Sequence, residues 1–237
     1  MDDKAAFEEA LRAVLSKLVA VKPSACVEPP RASKLARCGS VASYCANFGC
    51  RAVRVVATST GRGLEATRRI DADEFVFAER PVLKIDDRGD KSENAAAFAA
   101  AARCRRDAPL TSLLRDMCRD TDGDEVAAAY MSNAFEMDEE TGMFPMTAMM
   151  NHSCGDHNCA FMVDGDVLFV QATRPVEAGE ALTLCYVAAL GEVRSTRARR
   201  AELRESFNFL CACRRCAADD GAPASPPARK KRRRAAA

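Results

Sequence analysis

Four cysteines in two distant segments have the residue type and spacing of a metal site. Cys154 ends the tetrapeptide Asn151-His152-Ser153-Cys154, and Cys211, Cys213 and Cys216 form a C-x-C-x-x-C motif nearly sixty residues later. Structural zinc is almost always four-coordinate, so three thiolates this close together leave one ligand position open. Cys154 is the natural fourth ligand. Zinc would then tie the C-terminal segment to the middle of the chain, where it could close a substrate channel.

Composition and charge restrict the setting of such a site. The chain has 237 residues, 12 cysteines and 2 histidines, and it shows neither a secretory signal nor an apolar run long enough to span a membrane. Clustered cysteines in a reducing compartment are metal ligands or buried small residues more often than disulfides. We therefore expect an intracellular monomer, nuclear or cytoplasmic, of one domain with appendages.

The net charge of +1 is unevenly distributed along the chain. The run at 229–234 carries six positive charges, which leaves −5 for the rest. Such runs serve as nuclear import signals or nucleic-acid contacts, but many are only solvated chain ends. The run weakly favours the nucleus and suggests contact with importin or nucleic acid. The acidic body argues against nucleic-acid binding as the main role.

Four further cysteines, Cys26, Cys38, Cys45 and Cys50, are spaced by 12, 7 and 5 residues, which matches no familiar zinc finger. We expect them to be packed in the core rather than bound to metal.

Hydrophobic periodicity predicts alternating helical and β-rich regions. Helices are expected at 4–21, 33–48, 94–104, 110–118 and 194–206, the second with Leu35, Cys38, Ala42 and Cys45 on its apolar stripe. Strands are expected at 53–57, 74–78, 82–85, 160–163, 167–172 and 180–187. The pair Gly61-x-Gly63 is expected in a turn between strands, and the residues beyond 218 cannot form a core.

Four segments together resemble SET-domain protein lysine methyltransferases, most similar in order and spacing to the SET-and-MYND branch. They are Gly61-Arg62-Gly63-Leu64-x-Ala66, Asn151-His152-Ser153-Cys154, Gly179 to Tyr186, and Phe207-Asn208-Phe209-x-Cys211-x-Cys213-x-x-Cys216. Each motif alone is weak, since a lone G-x-G is most often a turn. Four motifs in the right order are not explained by chance. The resemblance covers about residues 52–217.

The resemblance implies a β-rich α+β protein with the SET fold, in which small curved sheets surround a pseudoknot. The implied organisation is an N-terminal helical extension at 1–51 and a SET domain at 52–204 with a helical insertion at about 91–131. A post-SET zinc segment follows at 205–217, and a disordered basic tail at 218–237 ends the chain.

The implied activity is S-adenosylmethionine-dependent methylation of lysine side chains in a protein substrate. Tyr186 matches the catalytic tyrosine, whose hydroxyl aligns the lysine amine without adding charge. The implied cofactor-binding residues are Gly61, Arg62, Gly63, Asn133, Asn151, His152, Tyr186 and Phe209. His152 could equally be a hydrogen-bonded structural histidine. Phe135, Leu184 and Phe207 match the walls of the lysine channel, and Cys154, Cys211, Cys213 and Cys216 match the zinc ligands.

Three departures from the family pattern bear on the function. The segment Gly155 to Asn158 is one residue longer than usual and lacks a proline, and Phe207 stands where the branch usually has tyrosine. A MYND finger is not expected, because the region 86–130 has only Cys104 and Cys118 and no histidine. A catalytically silent SET module that binds protein partners is therefore the alternative to an enzyme. Histone and non-histone lysines are both compatible with these motifs.

Overall fold

The computed structural model describes residues 38–48, 50–59, 61–117, 123–187 and 195–219. The predicted helix at 4–21, Cys26 and the basic run at 229–234 lie outside the described residues. Among the residues inside these ranges, no helix has the length and apolar character needed to cross a membrane.

The described part of the chain alternates short strands with helices. The α-helices are Val41–Phe48 (α1), Lys91–Cys104 (α2), Ala108–Met117 (α3), Glu125–Asn133 (α4), Thr196–Phe207 (α5) and Arg214–Asp219 (α6). The strands are Val53–Thr58 (β1), Gly61–Ala66 (β2), Phe75–Glu79 (β3), Leu83–Asp86 (β4), Ala134–Glu136 (β5), Glu140–Met143 (β6), Asn151–His152 (β7), Cys159–Asp164 (β8), Val167–Ala172 (β9) and Ala181–Leu184 (β10). A 3₁₀ turn at Thr147–Met149 precedes β7.

These strands form three small sheets with the orders β1-β2-β10-β7, β3-β9-β8 and β4-β6-β5. All strand pairs are antiparallel except β7 with β10, which run parallel. The β8–β9 hairpin closes at Asp164 opposite Val167, as its Asp-Gly-Asp turn predicts. Helices α2, α3 and α4 fill the predicted insertion between β4 and β5.

Three sequence-based predictions of local structure were wrong, one in the type of element and two in its extent. Gly61 to Ala66 is strand β2 rather than a turn, because it is paired along its length with β1 and near its end with β10. Helix α1 begins only at Val41, where the backbone carbonyl of Ser40 accepts from the amide of Tyr44. Its buried side chains are Val41, Tyr44 and Phe48, whereas Ala42 of the predicted stripe is exposed. The predicted strand at 180–187 ends at Leu184.

One main hydrophobic core joins the sheets to the helical insertion. Small residues of α2, Ala95, Ala99 and Ala102, are buried there, and the Phe98 ring lies 5.0 Å from that of Tyr130 in α4. Alanines at the contact allow these helices to approach closely. Helix α1 packs in the same core. Cys38 and Cys50 are buried there and Cys45 is partly buried against it, so these three cysteines serve as packing residues.

A buried carboxylate connects α1 to the turn that precedes β7. The Glu79 side chain is fully buried, and its Oε1 accepts from the Tyr44 hydroxyl at 2.9 Å and from the Met146 amide at 2.8 Å. Its Oε2 accepts from the amide and the hydroxyl of Thr147 at 2.8 and 2.7 Å. Burial raises the pKa of Glu79 from 4.5 to about 7, although the four donors partly oppose that shift. The carboxylate therefore fixes the position from which β7 begins.

Glu79 makes the stability of the protein depend on pH. Since its pKa is higher in the folded than in the unfolded chain, the folded state binds the extra proton between about pH 4.5 and 7. The unfolding free energy contributed by Glu79 should therefore fall across that window as pH rises, by at most about 1.4 kcal/mol per pH unit. Glu79→Gln does not titrate, so the wild type should lose stability relative to this variant in urea unfolding from pH 4.5 to 7. A stability difference that stays constant with pH would contradict the prediction.

Candidate active site and metal centre

The parallel pairing of β7 with β10 brings two distant motifs side by side. Asn151 lies opposite Thr183 and His152 opposite Leu184. The amide of Ser153 continues the pairing by donating to the Leu184 carbonyl at 3.0 Å. The two segments meet as expected from the resemblance.

Tyr186 lies just beyond β10. Residues 150–152, called the β7 segment below, hold both its backbone amide and its hydroxyl. Its backbone amide donates to His152 Nδ1 at 2.9 Å, and its hydroxyl donates to the Met150 carbonyl. Its ring centroid lies 5.0 Å from that of Phe207 and 6.3 Å from that of Phe209, to which it is perpendicular. The hydroxyl is thus held at one position beside a wall of aromatic rings.

The hydrogen bonds of His152 settle its tautomer and role within the chain. Nδ1 accepts from the Tyr186 amide, so the proton is on Nε2, which lies 3.0 Å from Cys154 Sγ. Burial lowers the pKa of His152 to about 4, which keeps the ring neutral. Both ring nitrogens are therefore used inside the protein, and His152 links Tyr186 to the cysteine group.

Gly63 of β2 makes room for Asn151. A Cβ on Gly63 would lie 2.8 Å from Asn151 Nδ2, which donates to the Arg62 carbonyl at 3.0 Å. The Arg62 guanidinium turns the other way and pairs with Asp116 of α3 at 2.8 Å. Asp116 Oδ2 also accepts from the Val41 amide, so Arg62 joins β2, α3 and α1.

The remaining predicted site residues occupy the flanks of this centre. Asn133 ends α4, and its amide nitrogen donates to the carbonyls of Ala129 at 2.9 Å and Met117 at 3.4 Å. Phe135 is half-buried, with its ring centroid 5.2 Å from that of the exposed Phe161. Leu184 is only 2% exposed and packs in the main core. Because β10 ends at Leu184, strand alternation does not relate this side chain to Tyr186.

The four predicted metal ligands come together beside the rings of Phe207 and Phe209. The sulfur atoms of Cys154, Cys211, Cys213 and Cys216 all lie within 4.8 Å of one another and could hold one metal ion. Four thiolates in a tetrahedron around zinc are about 3.8 Å apart at a bond length of about 2.3 Å. Without a cation they cannot all ionise. Donation from Cys154 and Cys211 lowers the pKa of Cys213, whereas hydrogen bonds to Cys211 and Cys213 raise the pKa of Cys154. This donor set fits zinc.

A buried arginine beside the cysteines was missed by the sequence analysis. Arg199 of α5 is 1% exposed, and its guanidinium lies 3.6 Å from Cys216 Sγ, 2.8 Å from the Thr196 hydroxyl and 3.5 Å from an Asp219 carboxylate oxygen. Four thiolates and Zn²⁺ would carry two net negative charges, and the buried guanidinium would offset one of them. In the sequence, Arg199 is one of several arginines in a charged helix, and no local pattern distinguishes it from the solvated ones.

Two further residues fix the loop after Cys154. The buried Asn158 donates to the Ala181 carbonyl at 2.8 Å and accepts from the Thr183 amide at 2.9 Å, so it bridges the loop to β10. A Cβ on Gly155 would lie 2.7 Å from the Arg215 side chain, so glycine allows α6 to approach. The additional residue in this loop therefore leaves its connection to β10 intact.

Comparison with known proteins agrees with this arrangement. The model of the family described as "SET domain" matches residues 61–187, which is more than half of the chain. The mouse (Mus musculus) protein "Histone-lysine N-methyltransferase SMYD3" is 38% identical over 102 residues, 40% of this chain and 23% of that protein. The chicken (Gallus gallus) protein "Protein-lysine N-trimethyltransferase SMYD5" is 30% identical over 86 residues, 36% of this chain and 20% of that protein. The matches thus span less than a quarter of these relatives.

A solved structure has the same fold. "Structure of Rubisco LSMT bound to AdoMet" superposes with a TM-score of 0.50 and 14% identity, covering 69% of this chain and 53% of that one. At this identity the likeness concerns the fold alone. The β-rich α+β architecture with small sheets and a helical insertion is confirmed.

The first test of this centre is its metal content. The purified protein should carry one equivalent of zinc, because the four thiolates complete a tetrahedral set. Cys213→Ser should release it and increase hydrogen exchange across residues 205–217, since metal binding and folding of this segment are coupled. Cys104→Ser, which alters an exposed cysteine of α2, should keep the full equivalent. Protein without zinc, or Cys213→Ser with a full equivalent, would show that the assignment is wrong.

The second test concerns the charge beside the cysteines. Arg199→Met should weaken zinc binding on the order of 10–100-fold, the usual effect of removing a group that supports metal ligands. Zinc affinity can be measured by competition with a chelator. Arg197→Met, on the exposed side of the same helix, is the matched control and should bind zinc as the wild type does. Equal affinities of both variants would exclude the proposed role of Arg199.

Proposed function

Because the chain belongs to the SET-domain family, we propose that it is an S-adenosylmethionine-dependent protein-lysine N-methyltransferase. The observation that carries the proposal is the position of Tyr186, whose hydroxyl and amide are both fixed by the β7 segment while its ring faces Phe207 and Phe209. The match to the family model covers Tyr186 and the whole β7 segment. In the relatives that are named as lysine methyltransferases, the matched region is only part of a longer protein, so the activity is inferred from the site.

The cofactor half of the site suits S-adenosylmethionine. The amide nitrogens of Asn133 and Asn151 donate to backbone carbonyls, which leaves their oxygens as acceptors for the ammonium group of the cofactor. The half-buried Phe209 ring offers a face for the adenine, a favourable stacked contact. Gly61, with a φ of 128°, lets the backbone of β2 approach the ligand. We propose that the backbone of Gly61 to Gly63, rather than the Arg62 guanidinium, contributes here, since that side chain pairs with Asp116.

The lysine half of the site would act by desolvating the substrate amine and aligning it with the methyl group. The cofactor supplies an electrophilic methyl group on a sulfonium, and the lysine amine must reach it neutral, although free lysine has a pKa near ~10.4. Apolar rings around the side chain favour the neutral amine. Phe135 and Phe207 are the proposed walls, Leu184 supports them from the core, and Tyr186 aligns the amine without adding charge. Alignment of this kind accounts for a large share of catalysis.

The cysteine group holds the channel wall in place in this proposal. Phe207 ends α5 and Phe209 follows it, so both rings directly precede the ligands Cys211, Cys213 and Cys216. His152 connects the group to Tyr186 through its two ring nitrogens. Zinc would therefore serve a structural purpose. We propose the corresponding division into a SET domain at 52–204 and a zinc segment at 205–217, with α1 of the 1–51 region packed on the same core.

The alternative is a catalytically silent SET module that binds protein partners. Phe207, without the hydroxyl usual at its position, and the longer loop after Cys154 favour it. Isothermal titration with S-adenosylmethionine separates the two functions, because a pure interaction module has no need of the cofactor. Cofactor binding together with methyl transfer to any protein lysine supports the enzyme. The absence of both cofactor binding and methyl transfer supports the module.

The substrate is proposed only as a lysine in a protein. Relatives are named for histone lysine and for protein lysine, and neither name decides between these classes for this chain. A screen of histones and ribosomal proteins with labelled cofactor would identify the class. We also propose that the run at 229–234 contacts importin or nucleic acid and directs the protein to the nucleus. Deletion of that run should abolish both the contact and the nuclear location.

Tyr186→Phe tests the catalytic assignment. The change removes one aligning hydroxyl, so kcat should fall about 10²-fold while cofactor affinity by titration stays unchanged. Tyr130→Phe is the matched control, because this buried hydroxyl joins α4 to Thr141 of β6. An unchanged kcat in Tyr186→Phe would remove this residue from the mechanism.

The number of methyl groups added is a further prediction. Phe207 lacks a hydroxyl that could hold a methylated amine in an unreactive orientation, so we expect di- or trimethyl-lysine. Phe207→Tyr should shift the product towards monomethyl-lysine, as measured by mass spectrometry at long times with excess cofactor. Monomethyl-lysine as the sole wild-type product would contradict the prediction.

A further inference from the structure

A lysine of the chain itself lies against the proposed channel wall. Lys91, the first residue of α2, is exposed, and its ammonium nitrogen lies 5.7 Å from the centroid of the Phe207 ring. That distance is within the range of an attractive contact between a cation and an aromatic ring. The Phe207 ring in turn packs against that of Tyr186. An amine of the substrate type is therefore one aromatic ring away from the proposed catalytic tyrosine.

The backbone that carries Lys91 is held firmly in place. Asp90 caps α2, since its Oδ1 accepts from the amides of Ser92 and Glu93, both at 2.9 Å. Asp87 adds bonds to the Gly89 amide and to the Asn94 side chain, at 2.9 and 2.7 Å. The flexible stem of Lys91 thus starts from a fixed point beside the channel.

Helix stability does not explain a lysine at this position. The N-terminus of a helix carries a partial positive charge, and a cation in the first turn is disfavoured there. The contact with Phe207 gives the ammonium group a favourable place against that ring instead. A cationic head on a four-carbon stem is also what the proposed site accepts as substrate.

The other lysine in the described part of the chain is held differently. The ammonium of Lys84 in β4 lies 2.7 Å from a carboxylate oxygen of Glu140 and 2.7 Å from one of Asp166. Two carboxylates keep it charged, and both hold it on the sheet surface. Lys84 is therefore a natural internal control for Lys91.

We propose that Lys91 is a substrate of the chain's own active site and is methylated in cis. This inference rests on the proposed function. Lys91 first releases a proton to water, and the lone pair of Nζ then attacks the methyl carbon of S-adenosylmethionine. The N–C bond forms as the S–C bond breaks, and the bonding pair stays on sulfur, which gives neutral S-adenosylhomocysteine and a positively charged methyl-lysine. Because the charge is retained, the product keeps its contact with the Phe207 ring.

The test uses the full-length protein with S-adenosylmethionine that carries a deuterated methyl group and no other substrate. Peptide mapping by mass spectrometry then locates methyl groups of either isotope. Methyl groups should accumulate on Lys91 at a rate per molecule that does not change on dilution. Lys91→Arg should lose this label, Lys84→Arg should retain it, and Tyr186→Phe should slow its appearance.

A parallel reaction with histones and ribosomal proteins separates the failure of this inference from that of the proposed function. Methylation of an added protein while Lys91 stays unmodified would overturn the inference and leave the enzyme in place. Label on Lys91 that appears in proportion to protein concentration would overturn methylation in cis. Absence of both cofactor binding and methyl transfer to any protein would overturn both proposals.

Discussion

The parallel pairing of β7 with β10 is the interaction on which the candidate site depends. Asn151 and His152 of β7 lie beside Thr183 and Leu184 of β10. This register positions Cys154 after β7 and Tyr186 after β10. A shift of one residue would send each side chain to the opposite face of the sheet. Tyr186 could then no longer bond to His152 and to the Met150 carbonyl.

Two side chains outside the site, Asn158 and Glu79, support this register. Asn158 bridges the loop after β7 to the backbone of β10, and Glu79 receives four hydrogen bonds in front of β7. Asn158 is neutral, so its bonds to the backbone of β10 do not change with pH. Glu79 is a buried acid, and its contribution changes with pH because burial opposes its charge. The site thus combines one pH-independent and one pH-dependent support.

Charge balance governs the group of four cysteines. Four thiol groups in contact cannot all ionise without a cation, whereas zinc and the buried Arg199 together offset most of their negative charge. The ring of His152 remains neutral between the cysteines and Tyr186, and so transmits position rather than protons. Metal binding and the placement of the aromatic wall are therefore two aspects of one packing arrangement, since Phe207 and Phe209 directly precede the cysteine ligands.

The sequence by itself determined the family, the grouping of the four cysteines and most helices and strands, because these depend on spacing within short motifs and on local periodicity. It did not show that β2 is a strand, since Gly61 and Gly63 look like turn residues until β1 pairs with them. Nor did it distinguish Arg199 from its solvated neighbours or place Lys91 beside Phe207. Burial of a charge and contact between distant side chains depend on how the elements pack. Only the tertiary structure decided those features, because the energies involved arise between segments that are far apart in the chain.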